Sequence, residues 1–147
     1  MSDIQYIVNV EGAIVRDARY LLVLRGAGEA HAAGLLSLVG GKVEGAEAVP
    51  NILEDTLRRE IREEVNLEVD DLVYVHSTAF IADDNQPVID VVFVCRQSGG
   101  TEFAADPAEV AAIFWMTANE VLTNPDMPEW TRESVRRAEL MRRVLGW

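Results

Sequence analysis

Gly40-Gly41-Lys42-Val43-Glu44 and, after a gap, Arg59-Glu60-Ile61-Arg62-Glu63-Glu64-Val65-Asn66-Leu67 decide how the chain is read. In a helix over residues 52 to 65, Glu63 and Glu64 follow Glu60 by three and four positions, so all three carboxylates project from one face. The same helix stacks Leu53, Leu57, Ile61 and Val65 at i+4 spacing into an apolar stripe. One side is made for burial and the other offers hard oxygen ligands. Carboxylates crowded in this way repel by roughly 0.2–0.5 kcal/mol per pair, a cost that a bound divalent cation reverses. The bland alternative is a solvated face braced by i,i+4 ion pairs, here Asp55 with Arg59 and Arg59 with Glu63.

The helix has legible ends. Asn51 followed by Glu54 predicts a capping box at the start, with Pro50 just outside it. Asn66 predicts a left-handed residue at the other end, followed by apolar Leu67. Gly40-Gly41 predicts a turn facing the helix, where the missing side chains let a backbone carbonyl approach a metal.

This stretch resembles the Nudix box, the signature of the Nudix hydrolases: Gly, five residues, Glu, seven residues, Arg-Glu, an aliphatic, any residue, Glu-Glu, any residue, Gly, an aliphatic. Gly41 and Glu47 have the first spacing, and Arg59-Glu60-Ile61-x-Glu63-Glu64-x-Asn66-Leu67 departs from the second half only at Asn66, where the family has Gly. Eleven residues rather than seven separate Glu47 from Arg59. The extra length is expected in the loop 45–50, where loop growth costs little. Val39 stands where the family usually carries Pro. The resemblance implies an α+β fold, a Nudix-type α/β/α sandwich with a mixed β-sheet. It also implies cleavage of a phosphoanhydride in a nucleoside diphosphate linked to a group X. By the same resemblance Gly40 (through its carbonyl), Glu60, Glu63 and Glu64 hold Mg²⁺, with Mn²⁺ as a substitute. Arg59 then orients the glutamates, Glu47 supports the loop, and the general base is Glu64 or Glu109, with Glu102 and Asp106 as weaker candidates.

Composition bounds the partners. With 13 basic against 25 acidic residues and a net charge of −12, the 147-residue chain is ill suited to nucleic-acid backbones or anionic membranes, so a phosphate ligand needs a cation. The length fits one domain over 1–147. One cysteine, Cys95, rules out an internal disulfide and reads as a buried strand thiol. No signal peptide or apolar span of about 20 residues is apparent, which points to the cytoplasm. The absence of a Cys/His cluster argues against zinc.

Elsewhere, Tyr6 to Val15 and Tyr20 to Leu24 read as a hairpin about Asp17-Ala18, and Leu72 to Ile81 and Val88 to Arg96 as a second about residues 83–87. Gly26 to Leu36 reads as a loop beside the substrate, with His31 in it as an exposed residue. His76 reads as structural. Ala112 to Met116 is a short strand and Thr117 to Leu122 a helix with a Thr117/Glu120 capping box. Thr131 to Val144 forms a last helix that buries Val135, Leu140, Met141 and Val144 and carries Arg132, Arg136, Arg137, Arg142 and Arg143 on a solvated face. Two other functions stay open: a nucleotide-binding module of this fold without catalysis, and an isomerase acting on isoprenoid diphosphates. The resemblance also allows a homodimer.

Overall fold

The computed structural model describes residues 3–29 and 32–147. His31 falls outside them. In chain order the elements are β1 (Ile7–Arg16), β2 (Arg19–Arg25), β3 (Leu36–Ser37), β4 (Val39–Lys42), α1 (Ile52–Val65), β5 (Leu67–Ile81), β6 (Pro87–Gly100), β7 (Val110–Thr117), α2 (Ala118–Thr123) and α3 (Glu129–Leu145).

The seven strands form one mixed sheet with the path β3-β2-β1-β6-β5, while β4 joins β1 and β7 joins β2. β1 runs parallel to β6 from Ile7/Val88 to Val15/Arg96 and antiparallel to its other neighbours. Side chains alternate across the strands. Val10, Ile14, Leu21, Val23, Val91, Phe93 and Cys95 therefore pack on one face with Leu57, Ile61 and Val65 of α1. Ala13, Val15, Tyr20, Leu22, Val92 and Val94 pack on the other with Val121 of α2 and Val135 and Ala138 of α3. The result is the α/β/α sandwich.

One topological detail matters for function. β1 and β2 pair only beside their turn, at Val15/Tyr20 and Arg16/Arg19. Beyond that β1 continues with β4 while β2 continues with β3 and β7. The sheet splits there, and the end of β2 faces the β1/β4 pair across a gap.

Several sequence expectations change. Gly40 and Gly41 are strand residues opposite Glu11 and Val10, not a turn. Their role is close approach: a Cβ on Gly40 would stand 2.0 Å from the Val10 carbonyl oxygen, and one on Gly41 2.4 Å from the Glu60 carboxyl carbon. The capping box at α1 is absent. Asn51 is left-handed, at φ 57°, with no side-chain cap, and a side-chain N-cap needs an extended backbone at that residue. Asn is there because it tolerates positive φ. At the other end Asn66 is left-handed as expected, at φ 58°, and its Nδ2 also donates to the Thr101 carbonyl. Leu53 is only partly buried, whereas Leu57, Ile61 and Val65 are fully so.

The second hairpin is longer than expected, because residues 67–70 and 96–100 keep pairing, with bulges along β5, and Leu67 and Val69 of that extension are buried in the core. The Thr117/Glu120 capping box forms. On α3, Leu140 and Val144 are exposed rather than buried. Arg142 is not solvated: it pairs with Glu139, which also accepts from the Tyr20 hydroxyl at 2.8 Å, and it donates to the Trp147 carbonyl. Cys95 is buried, and burial pushes its thiol up to about 12. No helix among the described residues is long and apolar enough to cross a membrane.

Candidate active site

α1 lies against β1, β4 and β5, held by the Leu57, Ile61 and Val65 stripe. That contact fixes the flanking stripe. Glu60 and Glu64, one turn apart, are half-buried, with the Glu60 carboxylate over the bare backbone of Gly41. Glu63, by contrast, is exposed. Arg59 pairs with Glu60 at 3.2 Å rather than with Asp55 or Glu63, which tethers that carboxylate from its own helix.

The loop before β7 brings in Glu109. Its carbonyl accepts from Gly26 N at 2.8 Å, and the Ala108 carbonyl accepts from Gly28 N at 2.9 Å, so the loop is laced to the end of β2. Glu109 there faces both Glu60 and Glu64 electrostatically. Burial, then the charges of Glu60, Glu109 and Glu29, push Glu64 up to about 8, against the opposing pull of Arg25. Burial also raises Glu60; Arg59 opposes this, and Glu63, Glu44 and Glu109 add to it.

The other candidates are engaged elsewhere. Glu102 accepts from Trp115 Nε1 at 3.0 Å and pairs with Arg16 at 3.1 Å. A bond from its own backbone amide, and then those from Trp115 and Arg16, hold it below the usual carboxylate range. Asp106 accepts from Ala108 N at 2.9 Å and shapes the Glu109 turn. Glu47 is exposed in the loop 43–51 that carries the extra length ahead of α1. His76 has a partner the sequence did not reveal, Ser134 Oγ at 3.1 Å.

The donor set fits a hard divalent cation: carboxylates on α1, the carbonyls of β4 beside them, and no thiolate or imidazole. Two half-buried acids crowded by further acids, with Arg59 opposing the crowding at Glu60 and Arg25 at Glu64, form a site whose electrostatics a cation would relieve. Among the described residues no three acidic, His or Cys side chains are already drawn together into a ligand cluster.

Across the split in the sheet opens a cleft of about 610 Å³ on the α3 side. Arg25 and Lys42 line it at the split, Asn9, Glu11 and Asp90 on the strands, and Phe80 and Trp130 contribute aromatic rings. A side lobe of about 190 Å³ runs under α3 past His76 and Ser134. Arg25 touches both centres electrostatically, since it acts on Glu64 and on Glu11. Glu11 is held well above the usual carboxylate range by burial and by its hydrogen bond and charge contact with Asp90. None of these cleft residues stood out in the sequence. The available signal was strand alternation: Asn9 and Glu11 interrupt an apolar strand on one face, and Asp90 does the same within Val88 to Cys95.

The NUDIX domain model matches residues 7–138. The chain belongs to the Nudix family. It is a Nudix pyrophosphohydrolase, of a family whose hydrolases generally use divalent metal ions. Among solved structures, a MutT NUDIX hydrolase from Burkholderia pseudomallei is 28% identical, with 90% of this chain and 98% of that one covered at a TM-score of 0.75. The E. coli ORF135 protein is 26% identical, with 96% and 94% covered and a TM-score of 0.71. The NUDIX domain of Shewanella oneidensis NrtR complexed with ADP ribose shares the fold at 19% identity, with 95% and 89% covered and a TM-score of 0.71. No curated protein matches the chain.

Proposed function

We propose that this Nudix enzyme cleaves the phosphoanhydride of a nucleoside diphosphate derivative in a Mg²⁺-dependent reaction, with Mn²⁺ as a substitute ion. The observation that carries the proposal is the pair Glu60 and Glu64 on α1, the first against Gly41 and both under the charge of Glu109, with Arg25 acting on Glu64 and lining the neighbouring cleft together with Lys42. Glu60, Glu63, Glu64 and the Gly40 carbonyl would hold the ion, which supplies neutralisation of the diphosphate charge and polarisation of the phosphorus centre when bound.

The chain's own residues do the rest. Arg59 keeps the Glu60 carboxylate turned toward Gly41. Arg25 and Lys42 draw the phosphates to the split in the sheet, against a net charge of −12 that would otherwise repel them. Glu64, half-buried one turn from Glu60, is placed to take the proton of the attacking water. Glu109, whose charge acts on Glu64, is the second base candidate. The aromatic rings of Trp130 and Phe80 give the nucleoside an apolar wall. The enzyme is expected to act in the cytoplasm, with no nucleic-acid or membrane partner, as a single domain over 1–147.

The test is a hydrolysis screen across nucleoside triphosphates, nucleotide sugars, ADP-ribose and dinucleoside polyphosphates, with and without Mg²⁺. At least one should be cleaved at the anhydride in a reaction abolished by chelation and by Glu64→Gln. Turnover that survives both changes, or no turnover on any member, would overturn the reading. An isoprenoid diphosphate converted without release of phosphate would instead point to isomerisation.

A further inference from the structure

We propose that Glu29 is a positioning residue: its ion pair with Arg25 holds that guanidinium at the split in the sheet, where it meets the diphosphate of the substrate. The proposal rests on the nucleotide reading above and adds to it a residue that touches neither the metal nor the nucleoside.

Arg25 is the last residue of β2, and the β2/β7 register shifts between Leu24 and Arg25. An irregularity of this kind re-aims the side chain beside it. The chain then enters a turn fastened from two sides. Gly26 N and Gly28 N donate to the carbonyls of Glu109 and Ala108, at 2.8 and 2.9 Å, and Glu29 N donates to the Gly26 carbonyl at 3.1 Å. On the other side Arg25 N donates to the Leu35 carbonyl, and the Arg25 carbonyl accepts from Gly34 N. Glu29 is thus placed by backbone bonds to the loop that carries Glu109. Its Oε2 accepts from Arg25 Nη2 at 2.9 Å, and the two side chains are only 23% and 27% exposed.

The pair matters because of where Arg25 sits. It lines the cleft, and its charge reaches Glu64 on α1. A diphosphate that runs from the cleft to the α1 acids passes this guanidinium. Ordering a long arginine side chain at the moment of binding costs affinity, and a carboxylate already fixed in place orders it beforehand. A guanidinium carries five N–H donors in a fork, so it can serve Glu29 and a phosphate together. Glu29 also brings a negative charge near the phosphates, and this works the other way. Paired with Arg25, however, it presents little net charge, whereas without it the guanidinium regains the freedom of its whole side chain. Orientation therefore outweighs repulsion.

Binding of methylenediphosphonate, a diphosphate analogue that resists hydrolysis, to the full chain with Mg²⁺ is measured by titration calorimetry. The parent is compared with Glu29→Ala, Glu29→Gln, Arg25→Ala and the double alanine variant. Glu29→Ala should bind at least about 10-fold more weakly than the parent, because the cation is misplaced. Glu29→Gln, whose amide oxygen still accepts from Arg25, should recover affinity to within about 3-fold of the parent. In the Arg25→Ala background, Glu29→Ala should change affinity by less than about 2-fold, since its effect runs through the arginine. If Arg25→Ala does not fold, the alanine and glutamine variants of Glu29 decide alone. Glu29→Ala that binds as well as the parent or better, Glu29→Gln as weak as Glu29→Ala, a full loss that persists without Arg25, or no binding by the parent overturns the proposal. The two readings fail separately: the expected pattern in a protein that hydrolyses nothing removes the catalytic reading and leaves the positioning pair, whereas hydrolysis by a protein whose Glu29→Ala variant binds like the parent does the reverse.

Discussion

Glu64→Gln in the absence of metal should make the protein more stable, and only at the pH values where Glu64 carries a charge in the unfolded chain. An ordinary glutamate loses its proton near 4.5, whereas folded Glu64 keeps it up to about 8, chiefly through burial and then through Glu60, Glu109 and Glu29. Between those values the unfolded state binds fewer protons than the folded one, so stability falls as pH rises. The loss begins near 4.5, is complete above about 8 and is absent below the window. At 1.36 kcal/mol per pH unit, the ceiling at pH 7.5 is about 4 kcal/mol, less whatever water entering the site recovers. For a chain of this length, about 2–4 °C of Tm accompanies each kcal/mol. Melts followed by circular dichroism in chelator should therefore put the variant roughly 5–15 °C above the parent at pH 7.5 and within about 2 °C at pH 5. Added Mg²⁺ should stabilise the parent by more than the variant, about 2.7 kcal/mol at a hundredfold excess over Kd. Coincident melts of parent and variant at both pH values would refute the claim that the acids strain the empty site.

Gly40→Ala drives a Cβ into the Val10 carbonyl, a backbone atom that cannot step aside, and should cost about 3 kcal/mol in thermal melts. Gly41→Ala meets only the movable end of Glu60, so its Tm should change little while Mg²⁺-dependent turnover falls at least about 10-fold; the opposite ranking would show that the glutamate placement does not matter. Asn66→Val should destabilise by about 1–2 kcal/mol and Asn66→Gly by under about 1, the latter losing only the bond to Thr101. Removing four residues from 45–50 should change KM or substrate preference with a small change in Tm, and an unaltered substrate profile would separate that loop from the site.

What was legible in the sequence follows the physics of each element. α1 could be read because its periodicity, its arginine–glutamate cluster and its Asn66 stop all belong to one continuous stretch. Both hairpins were legible from their turns, and Asp17 and Ala18 indeed adopt positive φ. The Gly-Gly segment was misread because sequence cannot say whether a glycine is needed for its own φ or for a neighbour's approach. Val10 and Glu60, which crowd it, lie far away along the chain. The same holds for Glu109, whose position depends on the hydrogen bonds of Glu109 and Ala108 to Gly26 and Gly28, some 80 residues away along the chain. The cleft floor stayed hidden because Asn9 and Asp90 meet only through the β1/β6 register, at residue separation 81.

That central register also sets the order in which the chain can fold. The hairpins β1/β2 and β5/β6 close short loops, yet neither forms the sheet until β1 lies alongside β6. Closing a loop of about 80 residues costs about 4 kcal/mol in chain entropy before any of the nine paired positions contributes. During synthesis β1 emerges with its partner still some 80 residues from being made, and β6 afterwards presents an unpaired apolar edge, Val88 to Cys95, until docking occurs. Folding should be limited by this one long-range pairing. Substitutions at Val92 or Val94 that weaken it should slow refolding more than equally destabilising changes in α3, and the exposed β6 edge is where aggregation during refolding should begin.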